Sequence, residues 1–195
     1  MNQSISTLTQ EVQEVLTTNI LPYWMNRMVD EENGGFYGRI TGMEQRMPEA
    51  EKGAILNARI LWTYSAAYRL LKKEEYLAMA TRAKEYIIHH FYDKEFGGIY
   101  WSLDCKGAPL DTKKQIYALG FAIYGLSEYN RATGDKEALD YAVRLFNSMI
   151  IAFVYNNFFF PLGMHHVIYQ CPTDTATTSG INKSILRTGI KGIFA

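Results

Sequence analysis

The sequence predicts an all-α fold assembled from stacked helix pairs, and three observations carry that prediction. Apolar residues recur at helical spacing through most of the first 149 residues. A pattern of unlike residues returns at an offset of 62 to 63 residues, with Asp30 falling on Asp93, Lys52 on Lys114 and Arg69 on Arg131. Each copy opens on a doubled glycine, Gly34-Gly35 and Gly97-Gly98, a turn that needs positive φ.

In chain order, Leu8, Val12, Val15 and Leu16 lie on one face and predict an amphipathic helix over 7–18. Pro22 is expected to end or kink it, because proline lacks the N–H that the helical ladder needs. Asp30 to Tyr37 reads as a turn feeding a short strand-like segment. A long helix is expected over 49–71 and a second over 74–91, its stripe formed by Tyr76, Met79, Ala80, Ala83, Tyr86 and Ile87. Asp93 to Tyr100 repeats the earlier turn. Thr112-Lys-Lys-Gln115 has the form of a capping box and predicts a helix running to Thr133, stopped by Gly134. A final helix is expected over 135–149.

The register extends through Ile55 on Tyr117, Trp62 on Tyr124, Glu75 on Glu137, Leu77 on Leu139, Ala80 on Ala142 and Arg82 on Arg144. Each unit is therefore a Gly-Gly loop followed by two antiparallel helices, and such pairs must stack on neighbours to bury both faces. A third unit should begin near residue 150, yet no Gly-Gly loop or helix-pair pattern follows. Only Asp174 is acidic after Asp140. The expectation is an organised region over 1–149 and a non-matching tail over 150–195. A shifted or a truncated reading frame would produce that tail, and a distinct small C-terminal element is the alternative.

Composition narrows the function classes. Twenty basic residues balance twenty acidic ones, so no net field favours nucleic acid or an anionic membrane as partner. Aromatic residues reach 14%, enough to furnish both a core and a platform for sugar rings. The first ten residues have no basic and apolar leader pattern. Cys105 and Cys171 show no paired spacing, which suits two free thiols in a reducing cytoplasm. The segment 149–162 is too short for a membrane span and carries Asn156 and Asn157. No His/Cys/Asp/Glu cluster has metal-ligand spacing.

The stretch from Lys52 to Trp62 holds one cation, Arg59, in an apolar helical run. Burying an arginine without a partner costs several kcal/mol on the order of the desolvation penalty, so a polar ligand held against rings is its natural counterpart. Ile55, Arg59 and Trp62 share a face at i, i+4 and i+7, and the repeat puts Tyr117, Phe121 and Tyr124 on the equivalent face of the next inner helix.

The Gly-Gly-Phe-Tyr loop, the segment Lys52 to Trp62, Asp111-Thr-Lys-Lys-Gln-Ile-Tyr117 and Phe121 to Tyr129 together resemble the N-acylglucosamine 2-epimerase superfamily, most closely its cellobiose and mannobiose 2-epimerases. The resemblance covers roughly residues 5–149. It implies an (α/α)6-barrel fold, here incomplete, with about two helix-pair repeats, a leading helix and an atypical tail. It also implies a carbohydrate 2-epimerase that needs no cofactor and acts on a disaccharide or monosaccharide, as a monomer or homodimer when full-length. The implied reaction removes a proton from C2 of a ring-opened glucose or mannose residue, passes through a cis-enediolate and returns the proton to the other face.

Carried over residue by residue, the resemblance makes Arg59 the group that holds O1/O2 and stabilises the enediolate, and makes Tyr117 a pocket residue. Helical spacing and the repeat place Trp62 and Tyr124 beside them as candidate substrate-binding rings, with a core role the alternative for Trp62. The family's catalytic histidines lie on later helix pairs. His89 and His90 read as a solvated helix end, and His165-His166 in the tail matches no family motif. Lys52 and Lys114 read as helix starts near solvent, and Asn57 either binds substrate or caps a backbone group. Two alternatives stay open: an N-acylglucosamine 2-epimerase proper, and a non-catalytic α-hairpin module that binds a saccharide or a partner.

Overall fold

The computed structural model describes residues 2–159 and 168–169, with side chains over 5–151. The helices are α1 (Asn2–Val15), α2 (Leu21–Arg27), α3 (Ala54–Leu71), α4 (Glu74–Tyr86), α5 (Ile116–Thr133) and α6 (Lys136–Phe159). Short strands β1 (Lys52–Gly53), β2 (Ser102–Leu103) and β3 (Pro109–Asp111) form an antiparallel sheet in the order β1-β2-β3. A fourth, β4 (Lys114–Gln115), pairs antiparallel with β5 (Ile168–Tyr169).

Two equivalent units make up the array, and inner helices α3 and α5 pack directly on each other. Each is backed by its own outer helix, α3 by α4 and α5 by α6. The inner pair meets through small residues: Ala58, Ala118 and Ala122 are completely buried. Gly125 lies so close to α3 that a Cβ there would stand 2.7 Å from the Ala58 carbonyl oxygen. Leu61 and Leu126 fill the space beside them, and Glu128 on α5 accepts from Arg69 at 2.7 Å and forms an ion pair with Arg131 at 3.5 Å. Thus the repeat's two equivalent arginines share one carboxylate.

What fixes the start of each inner helix is a buried ion pair. Asp30 Oδ1 accepts the backbone N–H groups of Glu32 and Asn33, while its Oδ2 accepts from Lys52 Nζ at 2.7 Å. Asp93 repeats this with Glu95, Phe96 and Lys114, the last at 2.6 Å. Both lysines are therefore buried, at 0% and 2% exposure, and not near solvent as the sequence suggests. The physical reason is that the carboxylate and, for Lys52, the Gly34 carbonyl at 2.7 Å satisfy the ammonium inside the fold. Gly34, Gly35, Gly97 and Gly98 all have positive φ, as their turns require. At Gly98 a side chain would also collide with the lysine, because a Cβ would lie 2.9 Å from Lys114 Cδ. The Tyr86 ring lies under Lys52, 5.1 Å from Nζ to the centroid.

Five boundaries differ from the sequence reading, beginning with the first helix, which starts at Asn2 rather than near residue 7. The inner helix begins at Ala54 rather than near 49, because Gly53 is extended and the Ala54 N–H donates to the Trp101 carbonyl. The next begins at Ile116: Thr112 caps nothing, and Lys114-Gln115 are strand. Pro22 does not end its helix. The ladder widens to a π-helix over Leu16–Ile20 and resumes as α2, with Pro22 in the first turn where its missing N–H costs least. Finally, α6 continues past Met149 to Phe159. The second outer helix behaves as expected, with α4 prolonged by a π-helical turn over Ile87–Phe91.

Two outcomes follow from this architecture. Burial pushes the Asp30 and Asp93 carboxyls up, but the paired ammonium and two N–H donors outweigh it and hold both below the ordinary value. The unfolded chain, with carboxyls titrating near roughly 3.9, therefore binds more protons in this window. The stabilisation is complete above about pH 4 and is lost as pH falls through the lower folded values. Urea midpoints are expected to hold down to about pH 5 and to drop between about pH 4 and 2; a rise on acidification would contradict the pairing. Lys72 ends α3 in the left-handed region at φ 55°, where its counterpart in the second unit is Gly134 at φ 79°. Lys72→Gly is expected to raise unfolding stability by about 1 kcal/mol, read by denaturant titration.

Candidate active site

The inner helices present one continuous face that neither unit covers. On α3 it carries Ile55, Arg59 and Trp62, and on α5 Tyr117, Phe121 and Tyr124. The Trp62 and Tyr124 rings stack across the helix pair, with centroids 5.0 Å apart and planes within 12°. Tyr117 meets Phe121 edge-on at 4.9 Å and 78°. These are equivalent positions of the repeat, so the fold that packs α3 on α5 also sets their rings side by side.

Exposure separates these residues from the core. Tyr117 is 62% exposed and Tyr124 49%, so neither is a packed core tyrosine with its hydroxyl satisfied inside. Trp62 is half-buried, one face held by Tyr124. Arg59 is exposed and makes no ion pair with any described residue, although its helix is otherwise largely buried. A free guanidinium on a face that also carries aromatic rings can take a developing oxyanion or a sugar hydroxyl, and the rings can carry the apolar face of a pyranose.

At the head of α3 this face runs into an open cleft of about 510 Å³, lined by Arg39, Glu49, Glu51, Ile55, Trp101 and Ser102 among others. Glu51 accepts the Ser102 hydroxyl at 3.0 Å. No motif spacing marks Arg39, Glu49 or Trp101, because they come from loops that meet only after folding. Asn57 is fully buried and donates to the Gly53 carbonyl at 2.9 Å, so it secures the first turn of α3 and does not face the open surface.

The histidines stand apart. His89 lies exposed at the end of the first outer helix, 2.9 Å from Glu85. His90 is half-buried: its ring stacks on Tyr86 at 4.4 Å and its Nδ1 lies 3.2 Å from the Gly107 carbonyl. Burial, reinforced by the charge on Asp30, pushes the Tyr86 phenol up to about 12, which keeps it neutral. Neither histidine is on an inner helix, and His165-His166 lie outside the described residues. Among the described residues no three His, Cys, Asp or Glu side chains gather as a metal site, and no helix is long and apolar enough to cross a membrane.

Comparison with known proteins identifies the lineage. The family model described as N-acylglucosamine 2-epimerase matches residues 35–158, past Met149 and along α6. A cellobiose 2-epimerase of Bacteroides fragilis is 77% identical over 142 residues, which is 73% of this chain and 36% of that protein. One from Ruminococcus albus is 48% identical over 139 residues, 71% of this chain and again 36% of the relative. The solved cellobiose 2-epimerase of Bacillus thermoamylovorans superposes with a TM-score of 0.73 at 41% identity, over 75% of this chain and 38% of its own. The chain thus spans a little over a third of the length of these relatives, and its helix pairs form part of an (α/α)6 barrel. It belongs to the N-acylglucosamine 2-epimerase family.

Proposed function

We propose that this chain carries the oxyanion-binding and sugar-stacking half of a carbohydrate 2-epimerase. Its substrate would be a β-1,4-linked disaccharide with glucose or mannose at the reducing end. The observation that carries the reading is Arg59, unpaired among the described residues, on the same open face as the stacked Trp62–Tyr124 pair and Tyr117. The relatives' names, cellobiose 2-epimerase, favour a disaccharide over an N-acylated monosaccharide.

In this reading the sugar opens to its aldehyde and a base takes the C2 proton. The electron pair then moves into the C1–C2 double bond, leaving negative charge on O1. Arg59 offsets that charge, Tyr117 hydrogen-bonds in the same pocket, and Trp62 and Tyr124 support the sugar ring. Rotation about C2–C3 presents the other face, and an acid returns the proton to C2. Fixed donors of this type act without reorganising when charge develops. Base and acid need pKa values near neutrality, which suits histidine. Neither α3 nor α5 contains a histidine, so the 195 residues alone are expected to be inactive.

The test is Arg59→Ala in a chain completed with the relatives' remaining helix pairs, assayed for conversion of cellobiose to glucosylmannose. Turnover should fall by about 10²–10³-fold. Stability should stay within about 0.5 kcal/mol, because the side chain is exposed and unpaired. Unchanged turnover, or turnover of cellobiose by the 195-residue chain near the rate of a full-length relative, would refute the assignment.

A further inference from the structure

The cleft at the head of α3 opens where the repeat departs from itself. At the offset that carries Tyr37 onto Tyr100, Gly38 falls on Trp101 and Arg39 on Ser102. All four of these residues line the cleft, so equivalent stretches of the two loops form its walls. The first loop has no side chain where the second has an indole, and that difference leaves the space open. Gly38 also packs directly on the next segment, since a Cβ there would collide with the Glu51 carbonyl. Trp101 is tied at both backbone groups: its N–H donates to the Asp111 carbonyl at 2.9 Å and its carbonyl accepts from Ala54 at 3.0 Å.

The polar groups around the cleft are uneven in their engagement. Ser102 is 2% exposed and donates to Glu51 Oε2 at 3.0 Å, which fixes an exposed carboxylate at the edge of the space. The Cys105 thiol donates to Glu49 at 3.5 Å. Arg39 is exposed, and its guanidinium makes no ion pair with any described residue. Arg39 opposes a cationic occupant and the two carboxylates oppose an anionic one, which leaves a neutral polyol. A carboxylate and a guanidinium accept from and donate to neighbouring hydroxyls, and an indole carries the C–H face of a ring.

Position relates the cleft to Arg59. Ile55 lies in its floor, and Arg59 follows at i+4 on the same face. That step is about one helical turn, roughly 5.4 Å, a distance suited to the next ring of a β-1,4-linked saccharide. We propose that the cleft seats the non-reducing glycosyl unit of the disaccharide, with Trp101 as platform and Arg39 and Glu51 as ligands of its hydroxyls. The three residues then select a disaccharide over a monosaccharide. The assignment of the reducing unit to the Arg59 end rests on the epimerase reading; the chemistry of the cleft does not.

The test titrates the 195-residue chain with methyl β-D-glucopyranoside, which has the ring of the non-reducing unit and cannot open. Calorimetry should show saturable one-to-one binding, weakened about tenfold by each of Arg39→Gln, Glu51→Gln and Trp101→Ala. Trp101→Phe should recover most of the loss, because it restores a ring. Arg39 and Glu51 are exposed, so their variants should keep the parent's thermal midpoint and separate lost recognition from lost folding. Absent binding, or binding unmoved by these variants, would overturn the proposal. No turnover enters this measurement, so it is independent of the fate of Arg59→Ala: glycoside binding in a protein that never epimerises cellobiose would refute the epimerase and support the glycosyl site. In the completed chain, Arg39→Gln and Glu51→Gln should raise KM for cellobiose about tenfold with kcat retained, the split expected of ground-state binding. A fall in kcat at unchanged KM would overturn the assignment of the non-reducing unit.

Discussion

The buried pairing of Asp30 with Lys52, and of Asp93 with Lys114, is the interaction on which the rest of this structure depends. Each aspartate does two jobs with its two oxygens. One closes the Gly-Gly loop by accepting two backbone N–H groups, and the other holds the lysine two residues ahead of an inner helix. An ammonium without solvent has nowhere else to go, so the lysine pins the loop to the head of the helix. That sets where the helix starts and which way its faces point. Removing one partner would strand a buried charge, so such a pair specifies a geometry even where an apolar replacement of both would be equally stable.

From that anchor the candidate site follows. Gly53 and Gln115, the residues just before α3 and α5, share nearly the same backbone angles, φ −88° with ψ 139° and 135°. The two helices therefore begin alike and pack alanine to alanine and glycine to backbone, and their repeat-equivalent aromatic positions land beside each other. The stacked Trp62–Tyr124 pair is a product of the repeat. Arg59 breaks the repeat's symmetry, because the equivalent position on α5 is Phe121. A cation at one of two otherwise aromatic positions is the kind of departure that a site, rather than a scaffold, requires.

Much of this is legible in the chain. The constant offset gives the helix pairs, the doubled glycines give the turns, and the shared face of Arg59, Trp62, Tyr117 and Tyr124 follows from helical spacing. The buried lysines are not legible by the same means. A lysine at the head of a helix ordinarily faces water, and its aspartate lies 22 residues back in the first unit and 21 in the second. The repetition of both Asp and Lys at matching positions was the available signal, since solvated residues have no reason to recur together. The helix starts are misplaced for a related reason. Apolar periodicity reads straight through the two-residue strands that precede each inner helix, and only their pairing with distant segments shows that they are extended. At Pro22 the missing N–H signals a break, whereas the chain absorbs it by widening one turn.

The most direct measurement of this account is the unfolding free energy of Lys114→Met, which keeps the bulk of the side chain and removes the charge from Asp93. The account predicts a loss of about 3–5 kcal/mol, with much of it recovered when Asp93 is also replaced by an apolar residue. A single variant within about 1 kcal/mol of the parent, near the worth of an ordinary surface pair, would contradict it.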